Sequence, residues 1–138
     1  MGYKIAMFKL TKREKKMKTK QIKNFKMNDS VYKLRRQVIN LIYEVKSQIK
    51  NLPRIDVRIG EPRNHRTLGV AALSDCKIWI TKDAIDLGPD SLRNIVFHEI
   101  VHAVSGFGHD DKCSLMQPTL KTILNKKDCM DHLKKYIQ

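Results

Sequence analysis

Nowhere in this chain does an apolar run approach the ~20 residues that a bilayer-spanning helix needs. Its opening apolar segment, Ile5-Ala6-Met7-Phe8, is closed at once by Lys9, too short for a secretory leader. Neither a transmembrane segment nor export is therefore expected. Cysteine is scarce as well. Cys76, Cys113 and Cys129 are an odd number at wide spacing, which makes no disulfide framework and points to a reducing, cytoplasmic setting. Acidic residues are few, 14 against 28 Lys and Arg, and the shortfall is uneven. Residues 1–50 hold 15 basic residues and 3 acids, whereas residues 51–138 hold 13 and 11. The last two thirds of the chain are thus close to neutral.

The basic excess is densest before residue 29. From Lys9 to Lys26 the chain is Lys-rich with no sustained helical stripe, which reads as a flexible basic arm or a frayed helix over 1–28. Such an arm would bind nucleic acid or an anionic surface by neutralising phosphates, or be no more than a solvated tail. Only Tyr3, Phe8 and Phe25 interleave with its charges, too sparse a set for stacking bases. Residues 29–138 are enough for one domain with a real core, and a monomer is expected.

Asn28-Asp29-Ser30 offers N-cap residues, and Val31, Leu34, Val38, Leu41, Ile42, Val45 and Ile49 recur at three- and four-residue steps. These predict a first helix to about Lys50, ended by Leu52-Pro53. Alternation of Ile55, Val57 and Ile59 with polar residues predicts a half-buried strand stopping at Gly60-Glu61-Pro62. Leu68 to Leu73 and Lys77 to Thr81 read as two further strands joined at Ser74-Asp75. Gly88-Pro89-Asp90-Ser91 opens a second helix, and Leu92, Ile95, Val96, Phe97, Ile100, Val101 and Val104 make it apolar almost all round, hence central. Leu120, Ile123, Leu124, Met130, Leu133 and Ile137 suggest one or two more helices at the end.

The chemistry is concentrated on that second helix, in His98-Glu99-Ile100-Val101-His102. Residues four apart on a helix lie one turn above each other, so His98 and His102 share a face and can share one metal ion. Glu99 sits one position round, placed to act on a water at an open metal position rather than to bind the metal itself. A catalytic zinc takes three protein ligands, so a third should follow the helix. His109 fits, because Gly106 and Gly108 give the freedom for a sharp turn back; Asp110 and Asp111 stand next in line.

HEIVHAVSGFGHD followed by CSLMQP resembles the metzincin metallopeptidases, and the run from Lys77 to Pro118 looks most like their matrixin-type branch. The resemblance implies an α+β, zincin-like domain: a twisted mixed sheet, a backing helix, the zinc helix, a methionine turn and a C-terminal helix. It implies His98, His102 and His109 as zinc ligands, Glu99 as general base, Met116 as the turn methionine, and a peptide or protein substrate. The family's spacing has two residues between the second His and the Gly; here Ala103-Val104-Ser105 are three, so His109 and Asp110 both stay open as third ligand. It further implies that the strand before the zinc helix borders the cleft and pairs with substrate, which puts Ile78, Trp79 and Ile80 on that edge, with Trp79 either lining the cleft or packing on the sheet.

Cys113, Cys129 and His132, the last two in C-x-x-H spacing, would with Asp110 or Cys76 make a second, structural zinc site, similar to the extra cysteines of archaemetzincins. Two other readings remain open. One is a protease of SprT type brought to DNA by the basic arm, against which the Ser114–Pro118 turn speaks. The other is a non-catalytic, zinc-stapled module that binds nucleic acid.

Overall fold

The computed structural model describes residues 5–9, 27–60 and 67–137. Helix α1, Met27–Gln48, forms where the three- and four-residue apolar spacing predicts it. Leu34, Val38, Ile42 and Val45 line one face and are buried, as is Ile49 just past the helix end. Each such side chain removed from water stabilises the fold by roughly 1.5–3 kcal/mol, which the helix obtains from packing rather than from propensity. Its buried face meets the sheet and the central helix.

The sheet has four strands: β1 (Ile5–Lys9), β2 (Asp56–Gly60), β3 (Thr67–Ala72) and β4 (Lys77–Thr81), in the order β1-β3-β4-β2. It is mixed. β3 and β4 form an antiparallel hairpin, β1 runs antiparallel to β3, and β2 lies parallel to β4. A 3-10 turn, Lys82–Leu87, leads into α2, Pro89–Ser105. Proline early in its first turn wastes no hydrogen bond, because the first amides of a helix have no partner within it. From Leu92 to Ala103 nearly every residue is buried, which makes α2 the centre of the molecule. After α2 the chain winds through loops to α3, Lys126–Lys134, whose cap Asn125 accepts from the amide of Asp128.

The α+β class and the mixed sheet agree with the sequence, and two details correct it. Ile5–Lys9 does not belong to a basic arm: it is a strand, because Ile5 to Phe8 is just long enough to pair along β3. The helix that follows begins at Met27, and residues 1–4 and 10–26 of the arm expected over 1–28 lie outside the described residues. The strand of Ile78, Trp79 and Ile80 is no edge, since β3 and β2 flank it and use its main-chain groups. Alternation puts Ile78 and Ile80 into the core and half-buried Trp79 on the other face, between Arg58 and Val70 of the neighbouring strands. Of the one or two helices expected at the end, the described residues form one, and Leu120, Ile123 and Leu124 precede it in the loop.

Candidate metal centre

His98 and His102 lie one turn apart on α2, and each is oriented by a main-chain carbonyl. His98 Nδ1 donates to Leu115 O at 2.6 Å, and His102 Nδ1 donates to Phe107 O at 2.6 Å. Pinning both Nδ1 atoms leaves the two Nε2 atoms to face each other, 3.1 Å apart. Two lone pairs confronted at that distance in a dry interior are unfavourable unless a cation or a proton lies between them.

The third imidazole arrives by a turn. Gly106 takes the left-handed conformation at φ 78° and its amide bonds His102 O at 3.0 Å, ending α2. A side chain there would also run into Ser74 of the β3–β4 turn. The same turn caps the helix: Ser74 N donates to His102 O at 3.2 Å and Cys76 N to Ala103 O at 3.0 Å. Beyond Gly106 the chain doubles back and brings His109 to ring-centroid distances of 5.2 Å from His98 and 4.9 Å from His102. Ligand atoms of His98, His102 and His109 all lie within 4.8 Å of one another. The extra residue after His102 is absorbed in this turn, and His109, not Asp110, joins the group. Asp110 is committed elsewhere, accepting from Lys112 N at 3.0 Å and from Tyr136 Oη at 3.0 Å.

Met116 ends a tight turn. Its amide donates to Cys113 O at 3.1 Å, and its carbonyl accepts from Asp110 N at 2.9 Å, beside His109. Leu115 of the same turn orients His98. Segment 113–116 thus holds His98 through the Leu115 carbonyl and holds the main chain just after His109 through the Met116 carbonyl.

Glu99 is the most unusual group. It is 0% exposed, and neither carboxylate oxygen has a hydrogen-bond partner among the described residues. Oε1 lies 4.0 Å from His98 Nε2, close enough for one water to bridge the acid and a metal on that nitrogen. Burial pushes its carboxyl well above the usual carboxylate range. Burial, with the His102 imidazole beside it, pushes His98 well below the usual value despite the Leu115 bond; burial likewise brings His102 down to about 4 and lowers His109. All three are therefore neutral near pH 7, the form that binds metals. Three converging neutral imidazoles lie close enough to hold one metal ion, beside an acid that has no other partner among the described residues.

Two residues of the site carried signals that the sequence reading did not use. Gly69, inside β3, lies under Glu99, and a β-carbon there would collide with the carboxylate; a lone glycine within a strand marks such an approach. Phe8 stacks on His98, with ring centroids 4.0 Å apart and planes 11° apart.

The second metal site does not assemble. Among the described residues the three histidines are the one group of three or more suitable ligands. Cys113 Sγ pairs with His132 Nδ1 at 3.2 Å, but Asp110 is turned toward Tyr136. Cys129 is buried on the side of Arg93 and Glu44, where burial pushes its thiol up to about 12. Helical spacing explains the miss: Cys129 and His132 share α3, but one meets the core and the other the loop carrying Cys113. All three cysteines are free, and no described helix is long and apolar enough to cross a membrane. Compared with protein families, curated proteins and solved structures, the chain has no match.

Proposed function

We propose that this chain is a zinc-dependent endopeptidase, and the observation that carries the reading is Glu99: a buried, unpartnered acid 4.0 Å from a nitrogen of a three-histidine group. An ordinary core does not retain such a group, because an unpaired buried acid costs several times what a buried methyl contributes. Three neutral imidazoles and no thiolate in the group suit zinc, and a zinc with only structural work would take a fourth protein ligand. Zinc held there would supply a Lewis acid for a peptide carbonyl and lower the pKa of water at its open position.

The chain's own residues would do the rest. Glu99 accepts a proton from the attacking water and returns it to the departing amine nitrogen. The carbonyls of Leu115 and Phe107 keep His98 and His102 in the tautomer that directs Nε2 at the metal. Burial of the three groups excludes bulk water and strengthens each electrostatic interaction. The resemblance to metzincins and the position of Met116 in the turn beside His109 support the same reading.

The direct test is zinc content with cleavage of an unfolded protein substrate. One zinc per chain is expected, weakened in His109→Ala and unaffected in Cys129→Ser. Glu99→Ala should keep the zinc and lose cleavage. Cleavage undiminished in Glu99→Ala, or two zincs per chain, would show that the reading is wrong.

A further inference from the structure

A peptide can be cut only if its carbonyl reaches both the histidine group and Glu99, yet His98, Glu99 and His102 are each 0% exposed. Part of what covers them is β1. Phe8, itself 2% exposed, lies flat on the His98 ring at 4.0 Å, and its main chain stands opposite Gly69, the residue that leaves room for Glu99. Removing β1 would turn β3 into the sheet's edge on the side of the metal group. An open edge beside the reactive groups is a template for an extended peptide, which gains main-chain hydrogen bonds whatever its sequence. Ile5–Lys9 already lies there, antiparallel, with Ile5 opposite Ala72, Ala6 opposite Ala71 and Met7 opposite Val70. Directly after Phe8 the register shifts, so the pairing is interrupted within one residue of the ring. A five-residue strand at the end of the sheet, paired along one side, is the kind of element that opens locally, well below the cost of global unfolding.

We propose that the edge of β3, Thr67–Ala72, that β1 now covers is a docking site for an extended peptide carrying an aromatic side chain opposite Gly69, and that Ile5–Lys9 is its built-in occupant. The chain holds its own site closed, and that strand must leave before a substrate enters. Because the occupant is tethered, an outside peptide competes with an effective concentration in the millimolar range. Weak peptides are then excluded, and activity follows release of the strand. This rests on the peptidase reading only for its consequence in cleavage; docking itself can be measured apart from it.

The experiment uses the full, zinc-loaded chain and a fluorescent peptide with the sequence of residues 3–10. Phe8→Ala frees the ring's place and should bind the peptide at least about tenfold more tightly than the unaltered chain, and cleave an unfolded protein substrate at least about tenfold faster. Met7→Cys with Val70→Cys provides the opposite change, since directly opposed residues of an antiparallel pair lie within disulfide reach. The oxidised form should neither bind nor cleave, and a phosphine reductant should restore both. This second variant decides the matter if Phe8→Ala fails to fold. Stronger peptide binding by Phe8→Ala with no cleavage by either protein would support the docking site and overturn the peptidase reading. Equal binding and cleavage by unaltered, Phe8→Ala and locked chains would make β1 an ordinary strand and overturn the proposal.

Discussion

Gly69 of β3 passes so close to Glu99 of α2 that a single added β-carbon would overlap the carboxylate. The strand's missing side chain is the space in which the acid sits. Gly69→Ala should therefore move Glu99, and a displacement of about 1 Å at a reacting group costs on the order of 100-fold in rate. Crowding should also lower stability by about 1–3 kcal/mol. Zinc content should not change, because the three atoms nearest Gly69's added carbon all belong to Glu99; loss of zinc together with cleavage would show that the glycine serves the metal group instead.

Glu99 itself is held at a cost. Both oxygens are buried without partners among the described residues, so Glu99→Leu should raise the unfolding temperature of the metal-free protein, by the equivalent of about 1–3 kcal/mol for an unsatisfied buried polar group removed. In the zinc-loaded protein the same change should abolish cleavage. Calorimetry on the two metal-free proteins checks it, and a lower melting temperature in the variant would mean that the acid stabilises the fold.

Zinc should stabilise the chain by mass action, about 2.7 kcal/mol at a free concentration 100-fold above Kd. In Glu99→Gln, where the neighbouring acid no longer titrates, the zinc affinity should be nearly flat from pH 8 down to about 6.5, because desolvation lowers the pKa of all three imidazoles below that ordinary value, His102 to about 4. Protons therefore do not compete for the nitrogens in that interval. Titration calorimetry at several pH values reads this, and a tenfold loss of affinity between pH 8 and 7 in that variant would contradict neutral ligands.

Away from the site, Glu44 of α1 accepts from Arg93 of α2 at 2.9 Å and meets Lys126 of α3 at 3.2 Å, joining three helices. Burial pushes its carboxyl up, but the bonds and charges of Arg93 and Lys126 outweigh that and hold it below the ordinary value. With the folded pKa depressed, this contribution is present above the unfolded value of about 4.3 and is lost as pH falls through the lower folded one. Glu44→Gln should cost about 1 kcal/mol at pH 7, since water still screens part of the pair, and nothing once both forms are protonated. Denaturant melts at pH 7 and pH 3 test the sign.

Local chemistry alone determined several features here. Four-residue spacing placed His98 and His102 on one face, apolar residues on almost every side from Leu92 to Val104 made their helix central, and Gly106 ended it in the left-handed turn that only glycine adopts cheaply. The apolar face of α1 and the β3–β4 hairpin were legible for the same reason: periodicity of 3.6 or 2 is a property of neighbouring residues. Tertiary structure decided what depends on distant partners. Strand order is set by which edges meet, so β4 became an inner strand and β1, a scrap of apolar sequence beside Lys9, became the edge over His98. Whether His109 or Asp110 completes the group depended on Tyr136, 26 residues on, which takes Asp110 away. Cys129 and His132, three residues apart, were sent to different surroundings by the face of α3 that packing buried. Sequence spacing fixes directions along one element; only packing between elements fixes where those directions converge.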